Sequence, residues 1–274
     1  KSLQVRTLTT EAYHKLGIRR TLLEIEPSVA DESEAMKRVF SLNYWFQCYK
    51  ILGRRGYSVG FKIPFALYST YESIFRGLQE VLSLKMTIHP LGDIVGTGPS
   101  FNGYDPEGKS WNIDWDEIKQ KLTQGEPLAL NDPPSYDIEV DSTDVVILLC
   151  LESDASMSLS NIASIAGVSI PTVSNRIRKM TENGLILGYV TNLLPFPTED
   201  SRLIQFFASF PGENEMGRFA TGLLKMPFLL SFQKQIGRDA LLARMHVPNP
   251  QFAPLSNLLD QLTSERFMTS FEIV

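Results

Sequence analysis

The chain has little of what most catalytic and metal sites are built from. Two cysteines and three histidines in 274 residues exclude a disulfide scaffold and a Cys/His zinc module. Cys48 and Cys150 stand apart in apolar patterns, and His14, His89 and His246 show no ligand spacing. Buried, reduced thiols and a reducing cytoplasm are the expectation. No Gly-x-Ser-x-Gly and no phosphate-binding Lys loop occurs. Gly96-Thr97-Gly98 runs into Pro99 and Phe101, where a dinucleotide loop needs a third glycine. The longest apolar run, Val145–Leu151, is too short to span a bilayer. No cofactor, no metal, no catalytic residue and no membrane contact are therefore expected. A net charge of −5 excludes a non-specific nucleic-acid coat, so any DNA affinity must come from a local patch.

What is present lies between residues 142 and 190. Ser142 is placed to cap a first helix bearing Val145 to Leu151. Ser158 is placed to cap a second, with Leu159, Ile162, Ala163 and Ala166. Gly167 suits a left-handed turn. Ser169 then caps a third helix with Pro171 in its first turn, where a missing N–H does no harm. Val173, Ile177 and Met180 recur at helical spacing and form one buried stripe. The opposite arc carries Pro171, Ser174, Asn175, Arg178 and Lys179, residue types that meet base edges and phosphates. Three helices, a stop at Gly184 and a β-rich segment spell a winged helix-turn-helix. Ser174, Asn175 and Arg178 are expected to face bases. Ser169, Thr172 and Lys179 are expected to meet phosphates, helped by the helix N-terminus. Arg176 lies on the flank, suited to DNA or to a salt bridge.

These residues resemble the leucine-responsive regulatory protein/AsnC family of transcription regulators. The resemblance rests on D-S-T-D-x-x-I-L-x-x-L at 141–151, S-L-S-N-I-A-S-I-A-G-V-S at 158–169, and the segment from Thr172 to Tyr189. Asp144, Ile147, Leu148, Ile162, Ala163, Val168, Ser169, Thr172, Val173, Arg176, Ile177, Gly184, Ile186, Gly188 and Tyr189 stand where that pattern wants them. It covers roughly 142–274 and implies double-stranded DNA as partner and a following ferredoxin-like βαββαβ domain. The pattern after the wing agrees. Residues 203–210 read as a strand, 213–226 as a helix, and Phe228–Ile236 and Ala240–Val247 as a hairpin around Gly237-Arg238-Asp239. Pro254–Leu262 reads as a second helix and Phe267–Val274 as a last strand.

The chain also repeats itself. A shift of 184 sets Pro27 on Pro211, Lys50 on Lys234, Gly53 on Gly237, Arg54 on Arg238, Pro64 on Pro248 and Leu78 on Leu262, with LLEI of 22–25 on FFAS. Two ferredoxin-like domains in one chain are expected. The fold class is then α+β, with two βαββαβ domains flanking a winged helix-turn-helix. The expected boundaries are 1–104, an acidic linker 105–141, 142–194 and 195–274. The linker stretch 105–144 holds eleven acids and three bases and reads as a solvated connector with one short helix near Ile113–Leu122, capped by Asn112 or Asp114. Under the same shift Lys1 falls on Leu185, just past the recognition helix, which suggests a further DNA-binding module upstream.

In the resembled family the domains pair through their sheets, and the effector site lies at the hairpin turn. Here Gly237, Arg238 and Asp239 fit, with Arg238 able to hold a carboxylate bidentately. Gly53 and Arg54 are the counterparts, followed by Arg55 in place of the acid, which leaves open a more anionic ligand or none. A small-molecule effector and self-association, as a homodimer or by internal pairing of the two domains, are the remaining partner expectations. A second layout-sharing class, the siroheme decarboxylases, uses histidines and arginines around a tetrapyrrole; His246 and Arg244 are the candidates for it. The reading preferred from sequence is a regulator and not an enzyme.

Overall fold

The computed structural model describes residues 6–27, 32–51, 55–96, 100, 102–108, 110–192 and 200–274, with the side chains of 6–8 and 190–192 outside that description. Two compact bodies result: residues 13–93 with 132–139, and residues 1–12, 94–131 and 140–273.

The opening strand β1 (Arg6–Glu11) belongs to the second body. The first body is built from β2 (Ile18–Glu26), α1 (Glu32–Phe40), β3 (Trp45–Lys50), β4 (Tyr57–Pro64), α2 (Tyr68–Val81) and β5 (Lys85–Leu91). Its sheet is antiparallel in the order β3-β4-β2-β5. Strand alternation sends Leu23, Ile25, Val59, Phe61 and Ile63 against α1 and α2, whose Ala35, Val39 and Phe75 complete a buried core. The other face of β2 carries Arg20, Leu22 and Glu24, which are buried as well. The end of the acidic stretch is pinned to this body. Tyr136 stacks on Phe65 at 4.1 Å, and Arg19 lies over both rings and donates Nε–H to the Tyr136 hydroxyl at 3.0 Å.

In the second body follow the short strands β6 (Val95–Gly96), β7 (Tyr104–Asp105) and β8 (Ser110–Trp111), then α3 (Trp115–Gln124). The Asp114 carboxylate caps α3 by accepting the N–H groups of Asp116 and Glu117. Ile118 and Leu122 are buried, so this helix of the acidic stretch belongs to a core and is not solvated. The winged-helix segment holds α4 (Ser142–Ser153), α5 (Leu159–Ala166), α6 (Ile170–Glu182) and β9 (Ile186–Asn192). β9 pairs antiparallel with β1, and Thr7 stands opposite Thr191, 184 residues on.

Last come β10 (Ser201–Ser209), α7 (Glu213–Leu223), β11 (Leu229–Lys234), β12 (Ala240–Pro248), α8 (Asn249–Ser264) and β13 (Ser270–Ile273), with strand order β13-β10-β12-β11-β6. Phe206, Phe219, Phe232, Met245 and Leu259 lie in its core, and α3 adds Leu122. The approach of α3 to α7 is close: a Cβ at Gly222 would lie 2.5 Å from the Leu122 Cα.

Both sheets therefore have the βαββαβ order expected from sequence, and β3 and β11 lie 184 residues apart at both ends. Even the bulge recurs, between Trp45 and Gln47 and between Leu229 and Ser231. One detail of the alignment is corrected. Leu22 pairs with Gly60, and Gln205 with Arg244, the counterpart of Gly60; so Leu22 matches Gln205 and not Phe206. A one-residue slip exchanges the faces of a strand, and Phe206 is a core residue while Leu22 faces away from the helices. Helix α8 also begins at Asn249, ahead of the expected Pro254. Pro254 forfeits only its own bond to the Pro250 carbonyl, and the helix runs through it.

Candidate nucleic-acid interface

The three helices of the winged segment form for the local reasons read from the sequence, with one change. Asp141, not Ser142, caps α4. Its carboxylate accepts the Asp144 N–H at 2.9 Å while the Asp144 side chain accepts the Asp141 N–H, a capping box that leaves Ser142 inside the first turn. Ser158 caps α5, and Gly167 follows at φ 67°. Ser169 caps α6 by accepting the Thr172 N–H, and the two hydroxyls lie 2.8 Å apart. Ile147, Ile162, Val173, Met180 and Leu185 are buried and set the helices against one another.

Helix α6 presents the expected arc. Ser169, Pro171, Ser174, Asn175, Arg178 and Lys179 are exposed and Thr172 is half-buried. Arg178 sits in an ion pair with Glu182 at 2.9 Å, one turn on and equally exposed. Such a pair contributes at most about 1 kcal/mol and yields readily to a phosphate or a base.

Arg176 has the other of its two expected roles. Its Nη1 reaches Asp141 and Asp144, each at 2.8 Å, and ties the start of α4 to the middle of α6. The Asp144 backbone N–H and the Arg176 guanidinium hold the Asp141 carboxyl below its usual range. A depressed carboxylate pKa contributes stability that is present above the unfolded value, about 3.9, and lost as pH falls through the folded value. Arg176→Met is expected to lower the melting temperature near neutrality, with the wild type and variant converging below pH ~4. Melts followed by circular dichroism across pH check this; a constant difference would contradict it.

The expected effector residues divide. Gly53 and Arg54 lie outside the described residues. Gly237 takes φ 76° in the turn between β11 and β12, Arg238 is exposed and Asp239 half-buried. The Asp239 carbonyl accepts the Phe210 N–H at 2.8 Å, so its backbone is held while both side chains face outward or partly so.

Sequence reasoning named part of a second set of groups, Arg244 and His246, and missed the rest, Arg20, Lys62 and His89. In each sheet, the face turned from the helices carries cations and a histidine. In the second sheet these are Arg244 and His246, and the His246 Nε2 lies 2.7 Å from the Ser201 hydroxyl, with burial lowering the histidine's pKa. In the first they are Arg20, Lys62 and His89. Arg20 and Lys62 lie over the Tyr13 and Phe46 rings at 4.8 to 5.4 Å, and His89 is 3.7 Å from Glu24. The available signal was the polar residue recurring at every second position of strands too buried to be amphipathic. Among the described residues no cluster of metal-ligating side chains occurs, and no helix is long and apolar enough to cross a membrane.

Comparison with known proteins separates the segment from the whole. Residues 140–186 match the winged helix-turn-helix DNA-binding family. The chain is 32% identical over 54 residues to YezC of Bacillus subtilis strain 168, an uncharacterized HTH-type transcriptional regulator; the match spans 20% of this chain and 39% of that protein. An AsnC family transcriptional regulator from Agrobacterium tumefaciens is similar over 49% of this chain and 88% of its own, at 22% identity and a TM-score of 0.38. The likeness that runs along 98% of this chain, and 74% of the other, is to the siroheme decarboxylase NirDL, with a TM-score of 0.54 at 11% identity. That finding overturns the expectation that the chain is no enzyme: the whole two-domain fold, winged helix included, is one an enzyme also uses. At that identity it is the fold that is shared. The segment 140–186 is a winged helix-turn-helix of the DNA-binding type, and in sequence it lies between two βαββαβ sheets.

Proposed function

We propose that the protein is a sequence-reading DNA-binding transcription regulator of the leucine-responsive/AsnC type. The observation that carries this reading is the division of α6. One arc is buried and locked by Arg176, while Ser174, Asn175, Arg178 and Lys179 stand exposed together above a capped N-terminus. A helix so fixed enters a major groove without rearrangement, and its side chains meet base edges while its N-terminus meets phosphate. Gly237, Arg238 and Asp239 are the proposed effector residues, and Gly53 and Arg54 are proposed as their counterparts by sequence.

Fluorescence anisotropy on duplex DNA across a salt series tests the reading. Binding that weakens log-linearly with salt is expected, with a slope reduced by about 1 in Lys179→Ala. Binding absent at low salt, or a slope unchanged in the variant, would count against it.

A second reading follows from the likeness to NirDL, which has been solved with an iron-uroporphyrin III analogue. Here each sheet by itself offers groups for such an anionic ligand: Arg244 and His246 on the second sheet, and Arg20, Lys62 and His89 on the first. A visible-absorbance titration with an iron-uroporphyrin separates the readings. A Soret shift lost in His246→Ala favours the enzyme; an unperturbed spectrum favours the regulator.

A further inference from the structure

Helix α6 holds five apolar residues, and they do not all turn inward. Val173 and Met180 are buried and Ile177 is half-buried, which makes the inward stripe. Ile170 continues the spacing of that stripe, three residues ahead of Val173, but the core has ended there. Ile170 is 48% exposed against 0% for Val173, and Pro171 beside it is exposed too. Neither side chain has a hydrogen-bond donor or acceptor. No acid stands in this first turn, as acids do in α3, α4 and α7.

This apolar edge adjoins the polar arc of α6. Ile170 is one turn ahead of Ser174, and Pro171 is one turn ahead of Asn175 and two ahead of Arg178. A helix that sets Ser174, Asn175 and Arg178 against base edges sets Ile170 and Pro171 against them as well. In the major groove the C5-methyl of thymine is the one apolar group of the code; the other base edges show donors and acceptors alone. Against those, Ile170 and Pro171 strip water from polar atoms and return no hydrogen bond, which costs binding. Against the methyl they bury apolar surface on both sides.

We propose, resting on the regulator reading, that Ile170 and Pro171 read the C5-methyl group of a thymine. The helix also places that base. Arg178 stands seven to eight residues further on, about 11–12 Å at about 1.5 Å per residue. That span is roughly three base-pair steps of about 3.4 Å. The thymine therefore lies about three base pairs from the position that Arg178 reads.

The test starts from a site selected by the whole chain on randomised duplex DNA. Its thymines are replaced one at a time by deoxyuridine, which removes only the methyl group, and binding is followed by fluorescence anisotropy. In the wild type, one such replacement per half-site should weaken binding about fourfold, the worth of one buried methyl group. The double variant Ile170→Ser/Pro171→Ser should bind the thymine and deoxyuridine sites equally. Arg178→Ala, which leaves the apolar edge in place, should keep the fourfold loss. A selected site that tolerates deoxyuridine at every thymine would overturn the proposal and leave the regulator reading standing. A double variant that still prefers thymine would do the same. Failure to select any site would overturn the regulator reading, and the proposal with it.

Discussion

Arg178→Ala is expected to flatten the protein's preference among DNA sequences while leaving it folded. The guanidinium is exposed on the arc of α6 that faces away from the buried stripe, and its only described side-chain partner is the exposed Glu182. A bidentate contact to a base contributes about 1–3 kcal/mol of discrimination, and every 1.4 kcal/mol is roughly tenfold. Competition between the best site and single-base variants should therefore narrow by about one order of magnitude at one position. Affinity for unrelated DNA should change far less. Lys179→Ala should show the opposite pattern, a similar loss on every sequence. If both variants lost affinity equally on all sequences, α6 would be a phosphate contact and not a reader.

Gly222→Ala should be the most destabilising methyl group that can be added to the C-terminal half. The added Cβ would lie 2.5 Å from the Cα of Leu122 and 2.7 Å from the Lys121 carbonyl. These are backbone atoms, so no rotamer change relieves the clash, and α3 must move off α7. Leu122 and Ile118 then lose their burial. Overpacking of this kind costs about 1–3 kcal/mol before that loss, equivalent to several degrees of melting temperature at about 2–4 °C per kcal/mol for a body this size. Gly77→Ala is the control. Gly77 lies inside α2 with nothing within 4 Å of the added carbon, and should gain about 0.5–1 kcal/mol from helix propensity. Equal melting temperatures for the two variants would show that α3 is not held by α7.

How legible these features were depends on how local their causes are. The caps at Ser158 and Ser169 and the turn at Gly167 are decided within four residues, and they stand where the sequence places them. Asp141 displaced Ser142 as a cap because its carboxylate serves two purposes, the N-terminal amide and the distant Arg176. The repeat was legible from proline and glycine positions, but its register in β2 was not. Only pairing with β4 distinguishes Leu22–Gln205 from Leu22–Phe206. The acidic stretch misled through composition. Its charges line the outside of α3, while Ile118 and Leu122, one turn apart, face a core that the stretch itself does not contain. Arg244 and His246 were legible as a pair on one predicted strand, but the polar groups behind the first sheet were hidden for a related reason. Burial of both faces of a central strand is a property of the assembled chain, so Arg20 and His89 read as scattered residues until the strands were placed side by side.

The most direct measurement of the central claim is selection of this chain on randomised duplex DNA, sequenced and repeated with Arg178→Ala. The account predicts an enriched site with related halves, their centres about one helical turn or a multiple apart. It predicts that base preference is lost at one position of each half in the variant. No enrichment by the wild type, or the same enriched site with and without Arg178, would contradict the reading of α6 as the helix that recognises DNA.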